Sequence, residues 1–322
     1  MILNSVISSG GDVNKSQIIV TTDSGSVVTC AKGSVVKNAR ENNGQWRFTG
    51  IDIGTWTVRA QKDGMETSSI VEITRLTVKY VNLIYRKVPE FTYSGRYELV
   101  DDNDNPLTDM MSSDWKIRLL SSGVLSFGRA LGWDGEADVF LVGGGASGGY
   151  AGGGGSGYTK TETMSIEIGK QYVVEIGAGG TAASSSVGAD GGATAFGALT
   201  ARGGLWGRGS GGMYKGGAGG SGGGTGGYLG GQDGGYGGGV YGGEGQGTTT
   251  REFGEDGARL YASGGSGNES GETPGGGGYG GTDRNNNGGN GQENTGSGGG
   301  GNYGGGLGGS GGSGIVIIRN HR

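Results

Sequence analysis

Cysteine is nearly absent. The 322-residue chain has one, Cys30, so no disulfide can close within it and no cysteine-based metal cluster can be built. Cys30 itself reads as a small buried strand residue. Histidine is as scarce: the single copy, His321, is the penultimate residue, which leaves a Ser-His-Asp arrangement without a positioned base. No Cys/His/carboxylate group has zinc spacing, so neither a metal nor another cofactor is expected. Proline occurs only at Pro89, Pro106 and Pro274. Basic residues are outnumbered, 25 Lys and Arg against 30 Asp and Glu, and a net charge of −5 argues against nucleic acid as a partner. No apolar run is long enough to span a membrane, and Met1 to Ser16 lack the basic start and apolar stretch of a secretory signal. The expectation is synthesis in the cytosol without membrane insertion.

What the chain has instead is glycine, 85 residues of it, and 72 of these lie in the 172 residues from Gly143 to Gly314. Glycine loses more backbone entropy on folding than any other residue, so such a tract is either disordered or gains from lacking side chains. A flexible Gly/Ser linker is one reading. Against it stand strand-like interruptions, spaced aromatics, and a closing run of four β-formers, Ile315-Val316-Ile317-Ile318. Collagen is another, but it needs glycine at every third position without a break and abundant proline. A local three-residue period does occur at Gly217, Gly220, Gly223 and Gly226, and again at Gly305, Gly308, Gly311 and Gly314. This points to polyglycine II: extended left-handed helices, three residues per turn, packed side by side so that backbone N–H and C=O groups satisfy one another between helices.

Three segments are expected: residues 1–16, a β-sandwich attachment module at 17–88, and a glycine-rich domain at 89–322. In the sandwich, Trp46-Arg47-Phe48 and Trp56-Thr57-Val58 alternate large apolar with polar residues, as do Ile70 to Ile73 and Leu76 to Ile84. Beyond Pro89 the strand candidates are 91–100, then Trp115 to Leu120 and Gly123 to Phe127 around a Ser-Ser-Gly turn. Asp138 to Val142, Tyr158 to Ile168 and Gln171 to Ile176 follow. The last are Ala193 to Phe196, Ala198 to Ala201, Ala258 to Ala262 and Ile315 to Arg319. The fold class is all-β throughout. Asp101 to Pro106 has the Asp/Asn spacing of a turn and lacks the glycine and distal glutamate of a calcium loop.

Two resemblances follow from these residues. The order Gly44, Trp46, Phe48, Ile51, Gly54, Trp56, Val58, Gly64 resembles the carboxypeptidase-regulatory-like or prealbumin-like sandwich, an Ig-like module that serves as spacer or connector. The run Asp138 to Gly180, the segment Gly191 to Gly204 and the closing Gly311 to Arg322 resemble the glycine-rich domain of phage and prophage tail-fibre or tail-tip adhesins. A related glycine-rich module occurs in the ectodomain of anaplastic lymphoma kinase-type receptors. The adhesin resemblance implies a virion protein whose polyglycine bundle is a rigid stalk and whose inter-helix loops touch a bacterial surface receptor, protein or glycan. It also implies other tail proteins as partners of the N-terminal module, and leaves homo-oligomerisation open. The loops are 184–190, 206–215, 248–256, 268–273 and 283–287. Within them, residues joining an aromatic to a charge in a glycine break are the expected receptor contacts: Trp206, Arg208, Tyr214, Arg251, Glu252, Phe253 and Arg284. Tyr150, Tyr228, Tyr236, Tyr241 and Tyr279 either pave the same face or seat the bundle.

Catalysis is not expected. A glycosidase pair could in principle come from Glu252, Glu255 or Asp256, but acids in a Gly/Thr-rich loop are solvated as a rule. Gly207 to Gly212 spells G-x-G-x-x-G without the strand before it or the helix after it. A self-assembling structural or filament subunit is the remaining alternative, because exposed strand edges pair between copies.

Overall fold

The computed structural model describes residues 15–62, 65–83, 90–110, 114–128, 135–182, 187–210, 213–283 and 286–321. The chain divides into two compact units, Met1–Val88 and Pro89–Arg322. Among the described residues there is no α-helix; the regular structure is strand, with one 3-10 turn at Glu252–Gly254.

Among its described residues the first unit has eight strands: β1 (Ser16–Thr21), β2 (Val27–Lys32), β3 (Val35–Asn38), β4 (Glu41–Asn42), β5 (Gln45–Ile51), β6 (Gly54–Lys62), β7 (Met65–Ile73) and β8 (Val78–Asn82). They form two four-stranded sheets, ordered β4-β5-β1-β8 and β3-β2-β6-β7, with β1 and β8 parallel. Alternation dictates the packing. Trp46 and Phe48 of β5 and Trp56, Val58 and Ala60 of β6 point inward to one core with Ile18, Val20 and Cys30, while Gln45, Arg47 and Arg59 face out. Trp56 keeps its indole N–H satisfied by donating to the Asp52 carbonyl at 2.9 Å. Cys30 is fully buried, and burial pushes its thiol up to about 11, so it is inert at neutral pH.

The second unit contains β9 (Phe91–Tyr93), β10 (Tyr97–Val100), β11 (Lys116–Leu119), β12 (Gly123–Phe127), β13 (Glu136–Val142), β14 (Thr159–Ser165), β15 (Gln171–Glu175), β16 (Thr194–Phe196), β17 (Leu199–Ala201), β18 (Arg208–Ser210), β19 (Met213–Lys215) and β20 (Ile315–Asn320). Two five-stranded sheets, β10-β11-β20-β13-β14 and β17-β16-β15-β12-β9, enclose a core that includes Ile117, Leu119, Leu125, Phe127, Val139, Leu141, Tyr172, Val174, Phe196 and Val316. The Tyr172 and Phe196 rings, on the neighbouring strands β15 and β16, stack at 5.2 Å. Two connections depart from the hairpins their turns suggest. The Ser-Ser-Gly segment carries the chain from β11 in one sheet to β12 in the other, and Gly169-Lys170 does the same between β14 and β15. A short turn serves for either path, and the apolar faces select the crossing because each strand must bury one side. The final strand β20 lies at the centre of its sheet, bonded to β11 on one side and β13 on the other.

Past β13 the chain leaves the plane of the sheet and bonds in three directions. Gly143, Ala146 and Gly149 donate to the carbonyls of Tyr158, Gly155 and Gly152; Gly144 and Ser147 to Gly192 and Ala189; Gly145 and Gly148 to Gly312 and Gly309. Each neighbour is met at every third residue. Residues 152–158 repeat the pattern toward 221–224, 296–299 and 202–205, and a parallel set runs from Gly278 and Gly281 to Gly298 and Gly301. Bonding that rotates with a period of three is the geometry of packed polyglycine II helices, and it satisfies backbone groups that no sheet could reach.

Here glycine supplies room rather than conformational freedom. A Cβ on Gly145 would sit 2.0 Å from the Ser297 oxygen, and one on Gly217 1.7 Å from the Leu205 oxygen, although neither residue has a positive φ. Serines inside the bundle are bonded to its backbone: Ser156 Oγ accepts from the Ser221 amide at 2.7 Å, and Ser147 Oγ from the Ala189 amide at 2.9 Å.

Such packing should resist proteases. In limited trypsin digestion we expect residues 89–322 to survive as one block, with Arg202 and Arg251 protected by their bonded backbone. Any early cut should fall at Arg208 or Lys215 in the β18–β19 hairpin; prompt cleavage at Arg202 would show a tether instead.

Candidate contact surface

The hydrogen-bond register gives the bundle two ends. At one end the helices meet the sandwich, where Gly143 follows β13, Gly177 follows β15, Arg202 follows β17 and Gly314 precedes β20. At the other they turn back on one another around Tyr150 and Ala151. Ala151 is buried in a left-handed conformation (φ 54°); its amide donates to the Asn302 carbonyl at 3.1 Å and its carbonyl accepts from Gly226 at 3.2 Å. Around this hub the far loops bond to one another: Tyr303 to Asn286, Glu269 to Gly281, Gly267 to Tyr228, Thr225 to Gly238 and Gly216 to Tyr241. Loops that are scattered in the chain thus share one rigid face.

Several large apolar side chains project there. Val240 is 90% exposed, Tyr228 57% and Tyr241 46%, with Leu229 beside Tyr228 also exposed. The Tyr228 side chain packs on Gly238 and Gly239: a Cβ would lie 2.9 Å from its Cβ at the first and 3.1 Å from its ring at the second. Tyr236 and Tyr279 are exposed as well, whereas Tyr150 is half-buried. Val240 and Leu229 escape a search for aromatic-plus-charge pairs. Their signal was an apolar residue beside a tyrosine in a glycine break.

The expected contact residues separate into groups. Trp206 and Arg208 do come together: the guanidinium stands 5.4 Å from the ring centre, the ring rests against Gly188, and the Trp206 amide donates to Asp190 Oδ1 at 2.9 Å. Arg208 is exposed and Trp206 half-buried. The side chain of Tyr214 and all of Arg284 lie outside the described residues.

Arg251, Glu252 and Phe253 require correction, because segment 248–262 is at the sandwich end and folds over the outer face of the β10-β11-β20-β13-β14 sheet. Alternation along that sheet turns Phe140, Val142, Ile315 and Ile317 outward, an apolar patch that Phe253 and Tyr261 cover. Phe253 is 8% exposed and Glu252 5%, so neither can meet a receptor. Phe253 holds a positive φ of 54°, unfavourable for a bulky residue, and packing against Phe140 at 5.9 Å and under Arg319 at 4.0 Å keeps it there. Arg251 is partly buried and pairs with Asp233 at 3.1 Å. Residues 258–262 form no strand of either sheet, contrary to the alternation read there; Leu260 makes only an isolated bridge to Arg251.

Beneath this cover lies a charged seam. Glu252 meets Lys116 Nζ at 3.0 Å and Arg118 at 3.6 Å, and Tyr261 Oη donates to Glu252 at 3.4 Å. Asp104, from the acidic turn, joins both cations. Arg319 pairs with Asp138 at 3.2 Å and with Glu255 at 2.6 Å, and His321 Nδ1 lies 2.7 Å from Asp138. The cavity here, about 420 Å³, is lined by Asp104, Lys116, Glu252, Glu255 and Arg319 of this seam and by Asp256 and Arg259 beside them.

Partial burial opposes ionisation of Asp104, but hydrogen bonds from Arg118 and Lys116 outweigh it and hold the carboxyl below its ordinary range. Burial likewise opposes ionisation of Asp138, and bonds from His321, Thr163 and Arg319 overcome it. Depressed carboxylate values stabilise the fold fully above the unfolded value near 4, and this is lost as pH falls through the lower folded values. Thermal melts should therefore be level from pH 7 to about 5 and drop below about pH 4, with the drop reduced in Asp138→Asn; a wild-type midpoint unchanged down to pH 2 would contradict this.

The architecture is that of an all-β sandwich prolonged by a polyglycine bundle. A family model described as a glycine-rich domain matches residues 128–321, more than half of the chain, and the chain belongs to that family. No curated protein matches the chain.

Proposed function

We propose that this protein is a receptor-binding component of a phage or prophage tail fibre or tail tip, and that it recognises a bacterial surface receptor through the far face of the bundle. The observation that carries the reading is the convergence of loops around Ala151 on one backbone-cored, interlocked end, with Tyr228, Leu229, Val240 and Tyr241 exposed on it. Preorganised loops lose little entropy on binding, and exposed aromatic and aliphatic groups on such a platform suit a protein or glycan surface. Trp206 with Arg208 is a second contact group. The first unit, read as a prealbumin-like connector, attaches the protein to other tail proteins, and the location is the virion. No catalytic step and no cofactor enter this reading. Among the described residues no helix is long and apolar enough to cross a membrane.

The test is binding of the purified chain to a panel of bacterial strains, alongside the double variant Tyr228→Ala, Val240→Asp. Both side chains are exposed, so the variant should melt like the parent and bind the recognised strain at least about tenfold more weakly, as loss of interface anchors does. Equal binding by parent and variant would sink the far-face reading. Assembly of the parent into filaments without binding any strain would favour a structural subunit.

A further inference from the structure

A second feature lies on the bundle where Gly275 approaches Leu260 and Ser263. The turn 273–277, closed by reciprocal bonds between Thr273 and Gly277 at 3.1 and 3.2 Å, stands beside residues 290–292 and leaves a cleft of about 520 Å³. That volume is within the range of small-molecule sites, about 300–1,000 Å³. Gly275 and Gly276 shape it with φ of +90° and +97°, conformations that side-chain residues rarely adopt, and a Cβ at Gly276 would lie 2.8 Å from Gln292 Cβ. Gly275 fits as closely, since a Cβ there would lie 2.4 Å from Ser263 Oγ and 3.0 Å from the Leu260 side chain, so both glycines let the turn seat against the bundle beside the cleft. Its rear wall is rigid: Gln292 N donates to the Gly276 carbonyl at 2.8 Å, and buried Thr273 uses its hydroxyl to accept from Gly230 at 3.1 Å.

Among the described residues, the side chains at the opening are polar apart from Pro274, and none is a cation. Glu272 offers a carboxylate, and Gln292 a carboxamide with donor and acceptor. Asn290 accepts from the Ser310 amide at 2.9 Å through Oδ1, which leaves its NH2 group as a donor. Glu272, Asn290 and Gln292 are exposed, and neither Glu272 nor Gln292 has a side-chain bond to another described residue. With no Lys or Arg in the lining and a carboxylate at the mouth, an anion is disfavoured; with Pro274 the one substantial apolar surface, so is an apolar ligand. A neutral ring bearing hydroxyls on adjacent carbons matches this set, since each hydroxyl donates and accepts at once. The exposed ring of Tyr279 lies on Gly289, next to Asn290, and offers a flat surface for the carbon face of a sugar.

We propose that this cleft is a saccharide subsite that binds a neutral sugar residue of a bacterial surface glycan, with Glu272, Asn290 and Gln292 as its hydrogen-bonding groups. The biological role of the subsite rests on the receptor-binding reading, while its chemistry does not.

The experiment is titration of the full chain, followed by ligand-observed NMR, with glucose-, galactose-, mannose- and N-acetylglucosamine-terminated oligosaccharides and with uronic-acid-terminated counterparts. We expect at least one neutral probe to bind and its acidic counterpart to bind several-fold more weakly. Glu272→Ala, Gln292→Ala should melt as the parent does and weaken that probe at least tenfold. A second variant, Asn290→Asp, should also weaken it by removing the NH2 donor while retaining the acceptor for Ser310. Failure of every neutral probe, preference for the acidic ones, or undiminished binding by the double variant would overturn the proposal. Saccharide binding that survives while the parent binds no strain would remove the receptor reading and leave the subsite. Strain binding lost in the far-face variant but with no saccharide bound would do the reverse.

Discussion

Gly300→Ala is expected to destabilise the glycine-rich unit by more than about 3 kcal/mol, beyond the usual cost of overpacking a side-chain core. The added Cβ would fall 1.7 Å from the Tyr279 oxygen and 2.5 Å from its carbonyl carbon. In an ordinary core a neighbouring side chain changes rotamer to make room. Here the neighbour is backbone, and it is bonded: Tyr279 O accepts from Gly289, Gly300 donates to Gly289, and Gly309 donates to Gly300. Yielding to the methyl group means stretching several inter-helix bonds together. Gly271→Ala is the matched control, because it has no positive φ and nothing within 4 Å of the new Cβ. It should be neutral or slightly stabilising, by up to about 1 kcal/mol, through a less flexible unfolded chain. In a unit of this size, about 3 kcal/mol corresponds to a fall in melting midpoint of roughly 6–12 °C. Equal midpoints for the two variants would refute the backbone-cored packing.

Glu252→Ala is expected to cost about 3–5 kcal/mol, the range for removing one partner of a buried ion pair. It would leave Lys116 and Arg118, both buried, with Asp104 as their shared counter-charge and Glu98 at 4.0 Å from Arg118 alone, and with Tyr261 Oη deprived of its acceptor. Glu252→Gln keeps the shape and a hydrogen-bond acceptor and should cost less. The exposed pair of Lys170 with Glu167 is the contrast: Glu167→Ala should change stability by less than about 1 kcal/mol. Denaturant unfolding of the three variants checks the order. A Glu252→Ala variant as stable as the parent would mean that segment 248–262 does not pack on the sheet.

The threefold glycine period announced packed extended helices, since a repeat of three without proline and without a constant phase matches no other backbone-bonded structure. Alternation at Trp46, Phe48, Trp56 and Val58, and at Tyr172 and Val174, announced strands with one buried face, because successive residues in a strand must point to opposite sides. Both signals are local. The role of Glu252 and Phe253 was not legible, because a charge beside an aromatic in a polar loop reads the same whether it meets solvent or a distant sheet. What buries them is the outer face of β11, β13 and β20, whose strands come from positions more than a hundred residues earlier and sixty later. The apolar members Phe140 and Ile317 gave no hint of a second covered face, since a strand at the centre of a sheet is apolar on both sides for several reasons.

Composition and periodicity by themselves determined an all-β chain, strands with one buried face, and a glycine tract that must gain from lacking side chains. These follow from each residue's own backbone preferences and spacing. Which strands pair, that β11 and β12 cross between sheets, which end of the bundle gathers the loops, and that segment 248–262 covers a sheet instead of facing outward were decided only in three dimensions. There the matching of buried faces and the satisfaction of backbone bonds select among connections that the local sequence permits equally.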